Sequence, residues 1–222
     1  LFNLFTSDQP TTAHTTTGDF ADDKAFLALH SNPETATNLI QNHLNLLSIW
    51  YKEWGIKVNE NKFIHCTFTL RQAVGSPVYL NYFHLPSAQN FHYLGLQLDC
   101  QLTWATHIHT KRIVLNNRSH QLRFLLTTKH INLKNKLFLY KLLLKPIWDF
   151  GNYGIQLWGA AKPFNITMIQ SFQSKCLQQI TKAPYYVSND TLHKYLPIQT
   201  VKNVVKTFYK HIHSNLYKHH NP

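Results

Sequence analysis

The spacing of apolar residues predicts a mixture of helix and strand over the first hundred residues. A helix is predicted to start at Asn32-Pro33-Glu34, because asparagine caps helix N-termini, proline suits the first helical position and an acid favours the first turn. Gly55 is placed to end this helix. The segments 64–70 and 91–99 instead alternate apolar and polar residues, which predicts two half-buried strands. The apolar positions that form one face of the predicted helix are Leu39, Ile40, Leu44, Leu47, Trp50 and Trp54.

In the second half of the chain the apolar spacing is helical throughout. One apolar stripe covers residues 104–126, and a second covers residues 133–144, where Pro146 is predicted to stop the helix. Further helices are predicted over 169–180 and 201–216.

Charge divides the chain near the point where the periodicity changes. Residues 1–99 hold five basic and eight acidic side chains, a net charge of −3, whereas residues 100–222 hold 17 basic and two acidic ones, a net charge of +15. We therefore expect an α+β part over residues 1–100 and an all-α, basic part over residues 101–222. The overall net charge of +12 favours a polyanionic partner.

The cations of the second part have two interpretations. They could line a channel for a nucleic-acid duplex, where each phosphate contact releases counterions and makes binding salt-dependent. Alternatively, they solvate exposed helix faces, as most surface lysines and arginines do. The imbalance of 17 basic to two acidic side chains favours nucleic acid. The candidate contacts with a nucleic-acid backbone are Lys111, Arg112, Arg118, Arg123, Lys134 and Lys141.

Several classes of protein are excluded by motifs that the sequence lacks. Its seven glycines form no dinucleotide-binding or P-loop motif, and its three cysteines lack the spacing of a zinc site or a disulfide framework. No apolar run approaches the ~20 residues of a membrane span, and no signal-peptide pattern opens the sequence. We therefore expect no membrane association and an intracellular location, in the nucleus or the cytoplasm.

The clearest chemical signal is Phe20-Ala21-Asp22-Asp23, an acid pair between two extended segments, which suits a tight hairpin turn. Two adjacent carboxylates are suited to Mg²⁺, an ion that prefers oxygen ligands and substrate phosphates. With another carboxylate nearby, two ions about 3.5–4 Å apart can clamp a nucleotidyl transfer. An Asp-Asp pair taken alone is also typical of a solvated acidic turn, so its meaning depends on the surrounding motifs.

The motifs that follow the acid pair come in a distinctive order. The hairpin precedes a helix, then Asn59 and Lys62, then the segment Tyr93-Leu94-Gly95, whose strand ends at Asp99. This order resembles the reverse transcriptases of Jockey-type non-LTR retrotransposons, and the resemblance covers essentially the whole chain. Three further segments that are similar to parts of these enzymes are residues 1–5, which follow the family's Pro-Gln-Gly box, and residues 141–146 and 153–159.

The resemblance implies an RNA-directed DNA polymerase of a mobile element. Residues 1–100 would be the C-terminal half of its palm, and residues 101–222 a helical thumb and its extension. In the family, the Tyr/Phe-Ala-Asp-Asp turn carries two metal-binding aspartates. Asp22 and Asp23 are therefore implied to be catalytic and to bind Mg²⁺, with two ions in the complete enzyme.

Further roles and partners are implied by the same resemblance. Lys62 would approach the triphosphate, and Tyr93, Leu94 and Gly95 would contact the primer end, since they match the family's primer-grip region. The partners would be an RNA template, a DNA primer and deoxynucleoside triphosphates.

The chain departs from the family pattern in ways that bear on activity. The family's third metal-binding aspartate lies upstream and has no matching position here. The strand before the acid pair is usually apolar, whereas Thr15-Thr16-Thr17-Gly18-Asp19 is polar, and Lys24 follows the pair and could partly neutralise it. We therefore expect the chain by itself not to polymerise DNA. A non-catalytic basic nucleic-acid-binding protein and a degenerate remnant of an element are the alternatives.

Overall fold

A computed structural model describes residues 7–70, 75–149 and 154–216. It divides the chain into two units, Leu1–Leu102 and Thr103–Pro222. The segment 1–5 and residue 153, which belong to the family resemblance, lie outside the described residues.

The first element of the described chain is an antiparallel hairpin. Strand β1 (Thr15–Phe20) pairs with strand β2 (Asp23–Ala28), with Thr15 opposite Ala28 and Phe20 opposite Asp23. The hairpin predicted around the acid pair is therefore confirmed.

The helix predicted after the hairpin is confirmed at both ends. Helix α1 (Pro33–Glu53) begins after Asn32, whose side chain accepts a hydrogen bond from the Glu34 backbone N–H. Trp54 caps the C-terminal end, and Gly55 follows with a φ of +63°, a left-handed conformation that glycine adopts without strain.

Two short hairpins follow helix α1 in the described part of the first unit. Strands β3 (Tyr79–Leu80) and β4 (Phe83–His84) form one, and strands β5 (Asn90–Tyr93) and β6 (Leu96–Asp99) form the other. A single 3₁₀ turn, Glu60–Lys62, lies before them.

The prediction of a single strand over 91–99 is wrong, because the chain reverses direction at Leu94 and Gly95. Both residues have positive φ, of +46° and +76°, as in the tight turns of two-residue hairpins. The sequence pattern does not predict this turn, because leucine disfavours positive φ and is not a typical turn residue as asparagine or aspartate is. Apolar and polar residues continue to alternate through the turn, so the sequence pattern is the same as that of one continuous strand.

The strand predicted over 64–70 is also wrong. This segment makes one isolated parallel bridge, between His65 and Ser87, in which the His65 N–H donates to the Pro86 carbonyl. Pro86 has no N–H, so the ladder cannot extend past it on that side. The Thr69 N–H donates instead to the Cys100 carbonyl, beside the β5–β6 hairpin.

The core of the first unit forms around helix α1. Side chains from one face of α1 pack with residues of the β3–β4 hairpin, and Phe26 of strand β2 packs against them. Most of the apolar face predicted from the sequence is thus buried against the first unit's core, but Trp54, the C-cap residue, is 44% exposed because it lies beyond the last helical turn. The buried residues of this core are Leu44, Leu47, Trp50, Tyr51, Val78, Leu80 and Leu85.

His43 joins the hairpin to helix α1. Its side chain is fully buried, its Nδ1 lies 3.1 Å from Thr15 Oγ1 and 3.3 Å from Thr12 Oγ1, and its ring centroid lies 5.0 Å from that of Phe26. Burial lowers the pKa of His43, because a charged imidazolium would lose its hydration. Its Nε2 has no hydrogen-bond partner among the described residues, so the neutral ring suits this position.

The second unit consists of helices, as predicted. Among its described residues, no helix is both long enough and apolar enough to span a membrane, and the same holds for the described part of the first unit. The helices are α2 (Ala105–Gln121), α3 (Arg123–Thr127), α4 (Leu133–Leu139), α5 (Lys145–Asp149), α6 (Ile155–Trp158), α7 (Pro163–Thr181), α8 (Asn189–Tyr195) and α9 (Val201–Leu216).

The prediction that Pro146 stops its helix is wrong. Tyr140–Leu144 is a π-helical turn between α4 and α5, in which the Lys145 N–H donates to the Tyr140 carbonyl five residues back. A proline clashes with the regular α-helical ladder. The wider π turn interrupts that ladder directly before Pro146, so the helix continues to Asp149.

The apolar stripes of the second unit form one large buried set. Residues of both predicted stripes and of the predicted helices over 169–180 and 201–216 contribute to it. Its members include Trp104, Ile108, Leu115, Leu126, Tyr140, Leu144, Trp148, Ile155, Trp158, Ile169, Phe172, Cys176, Leu177, Ile180 and Val201.

Acidification is expected to destabilise the first unit. Because burial lowers the pKa of His43 below its ordinary value of 6.5, the unfolded chain takes up a proton first as the pH falls. The free energy of unfolding should therefore decrease below a pH of about 6.5 and level off below the folded-state pKa. Urea unfolding at a pH of about 7.5 and of about 5.5, followed by circular dichroism, measures the change.

A substitution at His43 provides the control for this prediction. His43→Gln removes the titrating ring and keeps an amide that can donate to Thr15, so its pH dependence should be smaller than that of the wild type. Burial and the neighbouring His84 also lower the pKa of His65, so His65→Gln is the matched comparison. Identical pH dependence in wild type and His43→Gln would contradict the assignment.

Candidate functional site

The acid pair lies at the tip of the β1–β2 hairpin. Ala21 and Asp22 form the two-residue turn, Ala21 has a φ of +54°, and Asp23 is the first residue of β2. Both aspartates are exposed. Asp23 stands opposite Phe20 and shares its face of the hairpin, since paired residues of two antiparallel strands point to the same side.

The lysine after the acid pair does not neutralise it. Lys24 Nζ forms an ion pair with Asp19 Oδ1 at 2.9 Å across the hairpin and also donates to the Gln9 side chain. Among the described residues, neither Asp22 nor Asp23 takes part in an ion pair. The expectation that Lys24 offsets the pair is therefore wrong, because the Lys24 charge is used one residue pair away from the tip.

The carboxylate oxygens at the tip of the hairpin are suitable ligands for Mg²⁺, but two aspartates provide too few ligands for a complete site. Exposed carboxylate oxygens are the ligands that this ion prefers. No group of three or more histidine, cysteine, aspartate or glutamate side chains that could hold a metal ion occurs among the described residues. Asp22 and Asp23 alone would fill only part of the coordination shell of such an ion.

The structure brings Tyr93 to the face of the hairpin that carries Asp23. A Cβ atom added to Gly18 would lie 3.9 Å from Tyr93 Oη. Gly18 and Phe20 are two residues apart on β1 and point to the same side, so the Tyr93 hydroxyl lies on the side shared by Phe20 and Asp23. A distance of 3.9 Å is an ordinary van der Waals contact, so the Tyr93 hydroxyl lies beside Gly18 without requiring a glycine there.

The other two residues of the primer-grip-like segment form a turn. Leu94 and Gly95 connect β5 to β6 directly after Tyr93. Leu94 and Gly95 lie in a turn because β5 and β6 form a hairpin, which the sequence pattern does not predict.

Lys62 lies at the end of the 3₁₀ turn Glu60–Lys62 and is exposed. In the described part of the chain, no hydrogen bond or ion pair joins it to Asp22 or Asp23. The structure therefore leaves its amine available for a ligand without bringing it into contact with the acid pair.

Four of the candidate phosphate contacts on the helical unit are exposed. They are Arg118, Arg123, Lys134 and Lys141. Arg118 also donates to Gln121 Oε1 at 3.2 Å on its own helix. These cations lie on α2, α3, α4 and the π turn, and each is accessible to solvent.

Two of the candidate phosphate contacts are instead partly buried. Arg112 Nη1 donates to the Met168 carbonyl at 2.8 Å, and its guanidinium lies 5.1 Å from the centroid of the Phe172 ring. Burial lowers the pKa values of Arg112 and of Lys111. Arg112 therefore links α2 to α7, a use that helical periodicity alone could not reveal.

Comparison with known proteins gives consistent relatives. The chain is 33% identical to the probable RNA-directed DNA polymerase from transposon BS of Drosophila melanogaster, over 99% of this chain and 25% of that protein. It is 32% identical to the probable RNA-directed DNA polymerase from transposon X-element of the same organism, over 91% of this chain and 22% of that protein.

A third relative is the RNA-directed DNA polymerase from mobile element jockey of Drosophila melanogaster, which is 28% identical over 89% of this chain and 22% of its own length. No family model and no solved structure matches the chain. The chain spans about a quarter of the length of these curated relatives. Over nearly its whole length the chain is therefore similar to one segment of the reverse transcriptases of Jockey-type non-LTR retrotransposons.

Proposed function

We propose that this chain is the part of an RNA-directed DNA polymerase of a mobile element that supplies two metal-binding carboxylates and a helical nucleic-acid-binding unit. The observation that carries the proposal is the exposed acid pair at the tip of a two-residue hairpin turn, in a chain whose relatives are named RNA-directed DNA polymerases. The first unit would be the C-terminal half of the palm, and the second unit a thumb and its extension.

The first unit would act on the reacting groups of primer and nucleotide. Asp22 and Asp23 would hold Mg²⁺, an ion that neutralises phosphate charge and lowers the pKa of a bound hydroxyl. Lys62 would contact the triphosphate. Tyr93, together with Leu94 and Gly95, would position the primer end, and the place of the Tyr93 hydroxyl on the Asp23 side of the hairpin supports this role.

The second unit would hold the template–primer duplex. Residues 100–222 carry 17 basic and two acidic side chains, and one of these acids, Asp149, is paired with Lys145 at 2.9 Å. Arg118, Arg123 and exposed lysines such as Lys134 therefore face solvent with little competing negative charge. Phosphate contacts of this kind position a duplex without reading its sequence.

The acid pair can be tested in a chimera. In it, this chain replaces the matched segment of the transposon BS polymerase, and RNA-templated primer extension is measured with Mg²⁺. Asp22→Asn and Asp23→Asn should each lower the rate at least about a hundredfold, because metal-based charge stabilisation contributes several kcal/mol to the transition state. Asp8→Asn, which changes an exposed acid outside the motif, is the matched control.

Duplex binding separates a catalytic role from a structural one in this experiment. Both aspartate variants of the chimera should bind an RNA–DNA duplex as tightly as the wild type, or slightly more tightly, since a negative charge is removed. Equal loss of binding and of synthesis would argue against the metal role.

The chain by itself is expected to lack polymerase activity. Two carboxylates without further ligands do not fix Mg²⁺ in the near-octahedral geometry that it requires. Primer extension by the 222-residue chain on an RNA template should therefore show no product above background. Template-dependent and Mg²⁺-dependent synthesis by this chain would refute the expectation.

The exposed cations predict the salt dependence of binding. The affinity of the chain for an RNA–DNA duplex should fall linearly on a log–log plot against salt, and Lys134→Gln combined with Lys141→Gln should reduce the slope by about two. Arg112→Met should leave the slope unchanged and lower the free energy of unfolding by about 1–3 kcal/mol, because the Met168 carbonyl loses a charged donor. A salt-independent affinity would exclude phosphate contacts.

A second candidate is a non-catalytic protein that coats nucleic acid, or a degenerate remnant of an element with that property alone. The absence of any larger metal-binding cluster in the described part of the chain favours it over an independent enzyme. Restored synthesis in the chimera would rule it out, whereas salt-dependent binding without synthesis would support it.

A further inference from the structure

Helix α7 borders a polar groove in the second unit. The groove has a volume of about 420 Å³. Its lining includes one lysine and no carboxylate, and Asp190, next along the chain from a lining residue, is not part of it. The lining residues are Thr167, Gln170, Ser171, Ser174, Lys175, Gln178 and Asn189.

The orientation of the groove's central amide is fixed by its neighbours. Gln170 Oε1 accepts a hydrogen bond from the Val201 N–H at 2.8 Å, and Gln170 Nε2 lies 3.1 Å from His193 Nε2. His193 Nδ1 lies 2.8 Å from the Ile198 carbonyl, which only accepts, so Nδ1 carries the proton and Nε2 of the neutral ring accepts from Gln170. The groove is therefore organised before any ligand arrives.

Two exposed tyrosines lie on the loop at one end of this groove. Tyr185 is 98% exposed and Tyr186 is 75% exposed, with ring centroids 5.7 Å apart and planes at 78°. They are the central residues of a turn in which the Val187 N–H donates to the Pro184 carbonyl at 3.0 Å. Two adjacent aromatic side chains on a hydrogen-bonded turn present ring surfaces on which bases can stack.

The loop and the groove are joined directly. Gln178 of α7 donates to Asn189 of α8 at 3.0 Å, and both residues line the groove on either side of the loop that carries the tyrosines. The loop that carries Tyr185 and Tyr186 therefore leaves helix α7 and enters helix α8 close to two residues that line the groove.

We propose that this groove and tyrosine pair bind single-stranded RNA, with bases stacked on Tyr185 and Tyr186 and the sugar-phosphate backbone in the groove. The proposal rests on the nucleic-acid partner inferred above and assigns a separate site to it. The face of an aromatic ring can stack only on a base that is not already stacked in a duplex, so the site selects single strands.

The lining of the groove fits the RNA backbone in particular. Hydroxyl and amide side chains can donate to phosphate oxygens and can also accept from ribose 2′-hydroxyls, which DNA lacks. Lys175 supplies one cation, and the unit around it carries a large excess of basic over acidic side chains. Charge complementarity therefore favours an anionic strand over a neutral or acidic protein surface.

Fluorescence anisotropy of the full chain with a labelled, unstructured RNA of about twelve nucleotides tests the proposal. Tyr185→Ala and Tyr186→Ala should each weaken binding about tenfold, the effect expected for one base–aromatic stack. Tyr185→Phe and Tyr186→Phe should restore most of the affinity, because phenylalanine keeps the ring. Lys175→Gln should reduce the salt slope by about one.

Three comparisons make the outcome decisive. Tyr82→Ala, which removes a fully exposed tyrosine from the first unit, should leave RNA binding unchanged. The tyrosine variants should bind an RNA–DNA duplex as tightly as the wild type, which separates this site from the duplex contacts of Lys134 and Lys141. DNA of the same sequence should bind more weakly than the RNA.

Several results would overturn the proposal. They are wild-type affinity for single-stranded RNA in the Tyr185→Ala/Tyr186→Ala double variant, equal losses for single-stranded RNA and duplex, and tighter binding of single-stranded DNA than of RNA. The first result would leave the tyrosines as a surface for a protein partner. Loss of duplex binding in the lysine variants alone would bear on the proposed function and not on this site.

Discussion

A two-stranded hairpin has little stability of its own in water, and the acid pair of this chain lies on such a hairpin. It is held because Phe26 packs against the core of helix α1 and His43 joins the helix to Thr15. The ion pair between Lys24 and Asp19 closes the hairpin near its tip and leaves the acid pair at the turn exposed. The end of the hairpin that packs against helix α1 and the exposed acid pair thus lie at opposite ends of the same element.

Charge is separated between the two units in a way that suits a polymerase segment. An acidic turn without metal repels a phosphate backbone, so it cannot provide the affinity for a template–primer. The helical unit, with 17 basic and two acidic side chains over residues 100–222, supplies a field that attracts polyanions from a distance. Under the proposed function, affinity for nucleic acid and metal binding would then depend on different residues.

The features that the sequence predicted correctly have local causes. Three consecutive residues, Asn32-Pro33-Glu34, determine the start of the helix. Four consecutive residues, Phe20 to Asp23, indicate the hairpin that carries the acid pair. The wrong predictions concern features that depend on distant residues or on an unusual backbone conformation. The segment 64–70 has no neighbouring strand along its length, so it forms only one isolated bridge. The Leu94-Gly95 turn has positive φ without an asparagine or aspartate to indicate it. Tyr93 lies beside the hairpin, and Arg112 binds the Met168 carbonyl within the helical unit. Both are tertiary contacts, which the spacing of residues in the sequence cannot predict.

The π-helical turn before Pro146 also fixes the rotational phase of the residues after it. Each residue advances an α-helix by about 100°, so the additional residue of a π turn rotates the following side chains by roughly that angle. Trp148 is almost fully buried in the resulting arrangement. Deleting one residue within Tyr140–Leu144 would regularise the backbone and turn this indole away from the core. The chain length between the two ends of this helix is therefore itself a determinant of the fold, independent of which side chains fill it.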